Sequence, residues 1–180
     1  MKTSFIQLAS KRQSVRKYKA DKVVHEQLML CVEAARIAPS ACNAQPWHFI
    51  LIEDETLKNA VADCAADMGM NNFCRQAPAI VVIVQEKPNM TSKVGSLLKG
   101  IKYTLIDIGI AAEHFCLQAT ELGLGTCIIG WFNEKKLRKL LSIPSSKRIL
   151  LLITIGYADD TPREKIRKPL EKMYSENRYL

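Results

Sequence analysis

The sequence of 180 residues lacks the marks of a metal site, an exported protein or a membrane span. No two of its six cysteines form a CxxC pair or stand at zinc-ligand spacing beside a histidine. We therefore expect no metal, and we interpret the cysteines as reduced residues in or near the core. The first apolar segment is too short for a signal peptide, and the longest apolar stretches are broken well before membrane-spanning length. These absences predict a cytoplasmic protein with no membrane partner.

The sequence also has no internal repeat, no low-complexity segment and no Gly/Ser-rich linker between domains. Its 48% hydrophobic and 24% charged residues are typical of a globular chain. A chain of this length buries enough surface to fold without disulfides or a metal. We therefore predict one domain over residues 1–180.

Positive charge is in excess, with a formal net charge of +8 and a sequence pI near 9.2. Such a balance makes nucleic acid, an acidic membrane surface or a phosphorylated small molecule plausible as a partner. Most of the basic residues are scattered and are not interleaved with aromatic residues, which disfavours a nucleic-acid-binding stripe. Two basic clusters stand near the two ends of the chain.

Hydrophobic periodicity predicts strands interspersed with helices, and therefore an α+β or three-layer α/β fold. Strands are predicted over residues 47–52, 79–84, 126–129 and 149–155, and helices over 4–11, from 25 to before Pro39, and over 54–68, 101–122 and 134–141. The strand 79–84 shows no alternation, which indicates burial on both faces. The helix 101–122 is apolar around most of its circumference, which favours a subunit interface. We interpret residues 86–100 as a connection with at most one helical turn and as a candidate lid.

The two basic clusters could hold a phosphate. Arg12, Ser14 and Arg16 alternate, so an extended chain would place two guanidinium groups and a hydroxyl on one side. Lys165 and Arg167 alternate in the same way near the other end. Taken alone, each cluster is equally typical of a solvated basic loop.

Two further segments carry polar or unusual groups. The run from Pro39 to Pro46 is stiffened by its prolines and displays Ser40, Asn43 and Gln45, which could serve the polar edge of a flat heterocycle. An ordinary polar loop would have the same composition. The run from Gly125 to Trp131 ends a strand in glycine, where a backbone N–H could donate to a ring nitrogen.

Together and in this order, these segments resemble the nitroreductase family of FMN-dependent enzymes over nearly the whole chain. The motifs that carry the resemblance are R-x-S-x-R-x-Y from Arg12, P-S-x-x-N-x-Q-P-W from Pro39, A-P at Ala77, D-x-G-x-A-x-x-x-x-x-L-x-A-x-x-L-G-L-G from Asp107, and G-Y followed by K-x-R-x-P-L from Lys165. The resemblance implies a three-layer α/β/α fold with a central, mostly antiparallel sheet flanked by helices. It also implies an entwined homodimer with FMN at the subunit interface.

The resemblance also implies which residues hold FMN. Those expected at the phosphate, the ribityl chain or the pyrimidine edge are Arg12, Gln13, Ser14, Arg16, Lys165 and Arg167. Those expected from the other subunit are Pro39, Ser40, Asn43 and Gln45. The N–H of Ile129 is expected near flavin N5, with Gly130 beside it. Two positions depart from many relatives, since Ala41 stands where a second serine is common and Ile129 where some carry glutamate.

The implied reaction is a ping-pong transfer in which NADH or NADPH binds transiently and gives a hydride to flavin N5. A small acceptor such as a nitroaromatic or a quinone then takes the electrons, and no side-chain acid or base is required. The absence of a dinucleotide fingerprint leaves NADH and NADPH undistinguished. Three alternatives stay open, namely a flavin-binding relative that dehalogenates or cleaves flavin, a flavin storage or sensor protein, and a basic nucleic-acid-binding module.

Overall fold

The structure, a computed structural model, describes residues 4–179 of the chain. It contains a four-stranded sheet and six α-helices within those residues, joined by short 3-10 turns. The strands are β1 (Trp47–Ile52), β2 (Ala79–Gln85), β3 (Gly125–Ile129) and β4 (Arg148–Gly156). The helices are α1 (Phe5–Lys11), α2 (His25–Arg36), α3 (Glu55–Ala65), α4 (Met90–Lys99), α5 (Tyr103–Glu121) and α6 (Glu134–Leu140).

The sheet is antiparallel throughout, with the strand order β1-β2-β4-β3. β2 lies second in this order, and its residues from Ala79 to Val84 are buried. The prediction of a strand covered on both faces is therefore confirmed. β1 and β3 form the two edges of the sheet.

Two hydrophobic clusters lie on opposite faces of the sheet and make the fold three layers deep. Val81 and Ile83 pack with α2 and α5, whereas Ile80 and Val82 pack with α3 and α6. This division follows from the alternation of side chains along a strand. The predicted α/β/α arrangement around a mostly antiparallel sheet is confirmed.

Helix α5 packs one side against the sheet and α2 and leaves apolar residues on the other. Phe115 is fully buried and stacks on Phe49 with ring centroids 6.2 Å apart. Leu105 and Ile106 are 47% and 51% exposed in this single chain. The helix is therefore amphipathic only weakly, and its predicted role in a subunit interface stays a prediction.

The interpretation of residues 86–100 as an irregular connection was wrong, because residues Met90–Lys99 form the regular helix α4. Asn89 caps its start by accepting a hydrogen bond from the Ser92 N–H, and Gly100 ends it with a left-handed φ of 65°. Asparagine before a helix and glycine after it are ordinary cap signals. The glycines and polar residues that suggested a loop are the caps and the exposed face of this helix.

The cysteines follow the expectation with one exception. All six are free, and five are buried, but Cys42 is exposed. Within residues 4–179, no cluster of His, Cys, Asp and Glu side chains has the composition to hold a metal ion. None of the helices in this range has the length and apolar character needed to cross a membrane.

Two glycines allow the N-terminal segment to lie directly against the sheet. A Cβ at Gly125 would stand 2.6 Å from Val15 Cγ2, and a Cβ at Gly156 would stand 2.5 Å from Pro78 Cδ and 3.0 Å from Tyr18 Cδ1. All three distances are shorter than van der Waals contact. Gly125 and Gly156 are partners in the β3–β4 ladder, so the two close approaches occur at the same end of the sheet.

We expect Gly156→Ala to destabilise the protein by about 1 to 3 kcal/mol, because the added methyl group overpacks against the rigid Pro78 ring. Gly95→Ala is the matched control. Gly95 lies inside α4 with its nearest neighbour, Tyr103 Cε2, at 4.0 Å, so alanine there should stabilise by roughly 0.5 to 1 kcal/mol. Urea unfolding of both variants measures the difference, and equal midpoints would contradict the proposed clash.

Candidate functional site

The N-terminal segment after α1 runs in extended form along the edge of the sheet. The Val15 N–H donates to the Thr126 carbonyl at 2.9 Å, and Ser14 and Thr126 form a parallel bridge. The buried Tyr18 hydroxyl donates to the Val15 carbonyl at 3.0 Å and pairs with Thr154 Oγ1 at 2.8 Å. Burial raises the pKa of Tyr18, so this phenol stays neutral and serves as a hydrogen-bonding group.

The C-terminal segment crosses over this extended segment and binds its backbone. The Arg163 guanidinium donates to the Ser14 carbonyl, and the Lys165 ammonium donates to the Arg12 carbonyl. The Arg163 N–H also donates to Gln13 Oε1 at 3.0 Å. The two ends of the chain thereby form one basic surface, which we call the basic cradle and define as Arg12, Ser14, Arg16, Arg163 and Lys165.

Sequence reasoning missed Arg163. It stands two positions before Lys165, so in an extended segment both side chains point to the same side, and this alternation could have revealed it. Arg167, which was expected beside Lys165, lies in the exposed tail and donates to the Ile166 carbonyl at 2.8 Å. Gln13 is bound to Asp160 at 3.4 Å, so it ties the two segments together. The expected flavin contacts of Gln13 and Arg167 stay predictions.

Positive charge in the basic cradle exceeds the negative charge around it. Arg12 is paired with Glu113 of α5 at 3.1 Å, and Asp160 accepts from the Arg16 N–H at 3.2 Å. Burial and the neighbouring charges of Arg12 and Arg167 hold the pKa of Lys165 below its usual value. A cation whose pKa is lowered by other cations is stabilised by the arrival of an anion.

The donors of the basic cradle suit a phosphate in number and kind. Guanidinium groups bind phosphate oxygens with paired N–H donors, and an ammonium or a hydroxyl adds single bonds. Arg16 is exposed, and its guanidinium lies 5.9 Å from the centroid of the Phe73 ring. Arg16 is therefore held beside the Phe73 ring and is still open to a ligand.

A second polar surface is formed by residues 39–46, which we call the amide loop. Three of its residues adopt left-handed backbone conformations, namely Cys42, Asn43 and Gln45, with φ of 52°, 53° and 45°. Each such residue other than glycine stores strain on the order of 1 to 3 kcal/mol and keeps its conformation only where the surrounding structure enforces it. Strain of this kind is typical of a binding loop.

Hydrogen bonds within the amide loop hold its polar side chains. Ser40 Oγ accepts from the Gln45 N–H at 3.0 Å, and the Gln45 amide nitrogen donates to Asn43 Oδ1 at 3.1 Å. Asn43 and Gln45 are exposed, as is Pro39, and Ser40 is half-buried. The three expected polar groups of this segment are therefore gathered on one small surface.

Two residues outside the amide loop support it, and sequence reasoning assigned a supporting role to neither. Asp107 of α5 accepts from the Ala41 N–H at 3.0 Å. Asn89, before α4, donates to the Cys42 carbonyl at 2.8 Å. Neither contact follows from local sequence, since the partners are 66 and 47 residues apart.

The end of β3 presents backbone at the surface. The Ile129 side chain is buried at 4% exposure, while Gly130 is exposed and a Cβ there would meet no atom within 4 Å. Asn71 holds the following turn by donating to the Trp131 carbonyl at 2.9 Å. Ile129 as a whole residue is therefore nearly covered, and its expected N–H contact with flavin stays a prediction.

Comparison with known proteins shows the family of the chain. The family model described as "Nitroreductase family" matches residues 9–157. The chain belongs to the nitroreductase family. The matched range includes Arg12 to Arg16 and the amide loop and ends before Arg163, so the C-terminal part of the basic cradle rests on the contacts described above.

Among the relatives of this nitroreductase-family chain is an iodotyrosine deiodinase of Thermotoga neapolitana, which is 27% identical, with 88% of this chain and 90% of the relative covered. An oxygen-insensitive NADPH nitroreductase of Helicobacter acinonychis is 28% identical, with 80% and 82% covered. A solved structure of an FMN-dependent nitroreductase from Clostridium difficile superposes with a TM-score of 0.77 at 29% identity. The superposition covers 97% of this chain and 100% of the C. difficile chain. These matches confirm the predicted family and fold.

We expect one thiol of the six to react with Ellman's reagent in the native protein at pH 8. Burial raises the pKa of Cys31, Cys74 and Cys116 to about 12, so these thiols stay protonated and shielded from solvent. Cys42 is exposed in the amide loop. The Cys42→Ser variant should show no rapid reaction with the reagent in its native state. In denaturant, the reagent should detect its five remaining thiols. Two or more fast thiols in the wild-type protein would contradict the burial described here.

Proposed function

We propose that this chain is an FMN-dependent oxidoreductase that takes a hydride from NADH or NADPH and reduces a nitroaromatic, a quinone or a related small acceptor by ping-pong turnover. The observation that carries the proposal is the basic cradle, a set of cations brought together from both ends of a nitroreductase-family chain. The names of the relatives support it, since they include an NADPH nitroreductase and an FMN-dependent nitroreductase.

In this proposal the basic cradle holds the phosphate of FMN. Arg12 already lies against Glu113 through Nε, which leaves its two terminal nitrogens to face an anion. The Ser14 backbone is fixed to Thr126 and to Arg163, and its hydroxyl lies within hydrogen-bonding reach of the Cys127 thiol. The bound anion would therefore meet donors that are already oriented, which lowers the entropic cost of binding.

The ring of the flavin is proposed to lie between the end of β3 and an amide loop from a second copy. Bound FMN accepts a hydride at N5 and passes the electrons on, which is chemistry that the protein itself need not supply. The Ile129 N–H and Gly130 would orient the ring, while Asn43 and Gln45 would donate to its polar edge. Donors fixed in advance near a site of developing negative charge stabilise that charge.

We propose that the protein is a homodimer with two such composite sites. Phe5 and Ile6 of α1 are 66% and 72% exposed beside the exposed apolar face of α5. The tail beyond Pro162 is also exposed and carries apolar side chains, among them Ile166 and Leu170. Contiguous exposed apolar surface of this kind indicates an interface, and a second copy would bury it.

A second candidate reaction is reductive dehalogenation of a halogenated aromatic. It is favoured by the iodotyrosine deiodinase relative, which matches over most of both chains. It would use the same basic cradle and amide loop and differ only in the acceptor. The remaining sequence-based predictions, that the chain is one cytoplasmic domain and binds no nucleic acid, are retained as parts of the proposal.

The test of the proposal is the visible spectrum of the purified protein, followed by anaerobic addition of NADH or NADPH. We expect flavin bands near ~450 nm that bleach on addition of the donor. A nitroaromatic or a quinone should then restore them. Reoxidation by an iodinated phenol with iodide release, and not by the other acceptors, would favour the second candidate. A protein that takes up no flavin when FMN is supplied would overturn both.

We expect Arg12→Ala combined with Arg167→Ala to weaken FMN retention strongly, because the change removes one cation of the basic cradle and a second cation whose charge acts on Lys165. Lys135→Ala combined with Lys139→Ala is the control, since it removes two exposed cations from α6. Flavin content after gel filtration measures the effect. Equal flavin content in both double variants would remove these arginines from the phosphate site.

A further inference from the structure

The amide loop cannot be explained by its own sequence. Its three left-handed residues, Cys42, Asn43 and Gln45, are not glycines, so the surrounding structure must enforce their conformation. The side chains of Asn43 and Gln45 are bonded to one another. Asn43 directly follows the peptide plane between residues 42 and 43. The orientation of the bonded Asn43 and Gln45 side chains therefore depends on that plane.

The two external supports act on different peptide planes. Asp107 accepts from the Ala41 N–H, which precedes the left-handed residues. Asn89 donates to the Cys42 carbonyl at 2.8 Å, which belongs to the peptide plane that leads into Asn43. Of the two external contacts, the Asn89 contact is the one on the plane that carries Asn43, and the N–H of the same plane donates to the Ser40 carbonyl within the loop at 3.0 Å.

The same Asn89 side chain also begins helix α4. Its Oδ1 accepts from the Ser92 N–H at 2.9 Å, while its amide nitrogen donates to the amide loop. The apolar side chains of Met90, Leu97 and Leu98 are 73%, 75% and 81% exposed, so they do not anchor the helix in this chain. The start of α4 and the amide loop are therefore joined through one side chain.

We propose that Asn89 is a positioning residue, which holds the amide loop in the shape that receives the flavin and couples that shape to the position of α4. This inference rests on the proposed function, because it assigns a flavin contact to the amide loop. Movement of α4 would pull on the Cys42 carbonyl and reorient Asn43 and Gln45. Helix α4 thereby acts on the flavin without touching it.

The substitution Asn89→Ser separates the two roles. Serine is as good a helix cap as asparagine, so the bond to the Ser92 N–H is kept, but its side chain does not reach the Cys42 carbonyl as a donor. We expect the dissociation constant of FMN, measured by quenching of its fluorescence, to rise about 3- to 10-fold, which is the loss of one hydrogen bond. Asp54→Ser is the matched control, because it exchanges the cap of α3 and should leave FMN affinity unchanged.

Hydrogen exchange without FMN tests the inference separately from the proposed function. In Asn89→Ser, amides of residues 41–45 should exchange faster than in wild type, while those of α4 after its first turn keep their protection. Unchanged exchange in residues 41–45 would overturn the inference even if FMN binds. Faster exchange in a protein that binds no FMN would keep Asn89 as a support of the loop and overturn both its flavin role and the proposed function.

A double variant shows whether Asn89 acts through Gln45. If it does, adding Asn89→Ser to Gln45→Ala should raise the dissociation constant of FMN by less than it does in the wild-type background. Equal fold-changes in the two backgrounds would mean that Asn89 affects binding by another route. That result would overturn its assignment as a positioning residue for the amide loop.

Discussion

The closeness of the N-terminal segment to the β3–β4 end of the sheet is the constraint on which the candidate site depends. Val15 and Tyr18 can lie there only because Gly125 and Gly156 have no side chains. Once the backbone at residues 14 and 15 is bonded to Thr126, the alternation of an extended chain places Arg12, Ser14 and Arg16 together. Arg163 and Lys165 then bind carbonyls that this segment has left free.

The two polar surfaces of the site are built by different physical means. The basic cradle depends on electrostatics. Backbone carbonyls, Glu113 and Asp160 hold its cations close together. The amide loop depends on backbone conformation. Hydrogen bonds to Asp107 and Asn89 hold its strained backbone. The basic cradle attracts an anion over a distance, whereas the amide loop recognises the shape of a ligand on contact. A ligand with a phosphate at one end and a flat ring at the other would use both.

Much of the fold could be predicted because the strands are encoded locally. The run from Trp47 to Ile52 and the unalternating run before Gln85 have strand length and composition, and both are strands. The α4 prediction failed because polar and glycine residues were given more weight than the caps at Asn89 and Gly100. The strands were predicted from their hydrophobic pattern, whereas α4 could be predicted only from the residues that begin and end it.

The site was predicted where its residues alternate along the chain and missed where they meet through the fold. Arg12, Ser14 and Arg16 were singled out by their alternation, as was Lys165, and the structure brings these four residues together. Arg163, Asn89 and Asp107 act through contacts with backbone groups that are far away in sequence. Nothing in a linear pattern says which carbonyl or N–H will need a partner, so such supporting residues become visible only in three dimensions.

The contacts by which the two ends of the chain form the basic cradle have a consequence for biosynthesis. Lys165 and Arg12 are separated by 153 residues, so the basic cradle closes a loop that spans most of the chain. Contacts of such high sequence separation form late and slow the folding of a domain. Strand β4, which lies between β2 and β3, ends at Gly156, shortly before Lys165 in the chain. The cations of the basic cradle can therefore come together only after the last strand of the sheet has been synthesised, so the core can form before the cradle closes.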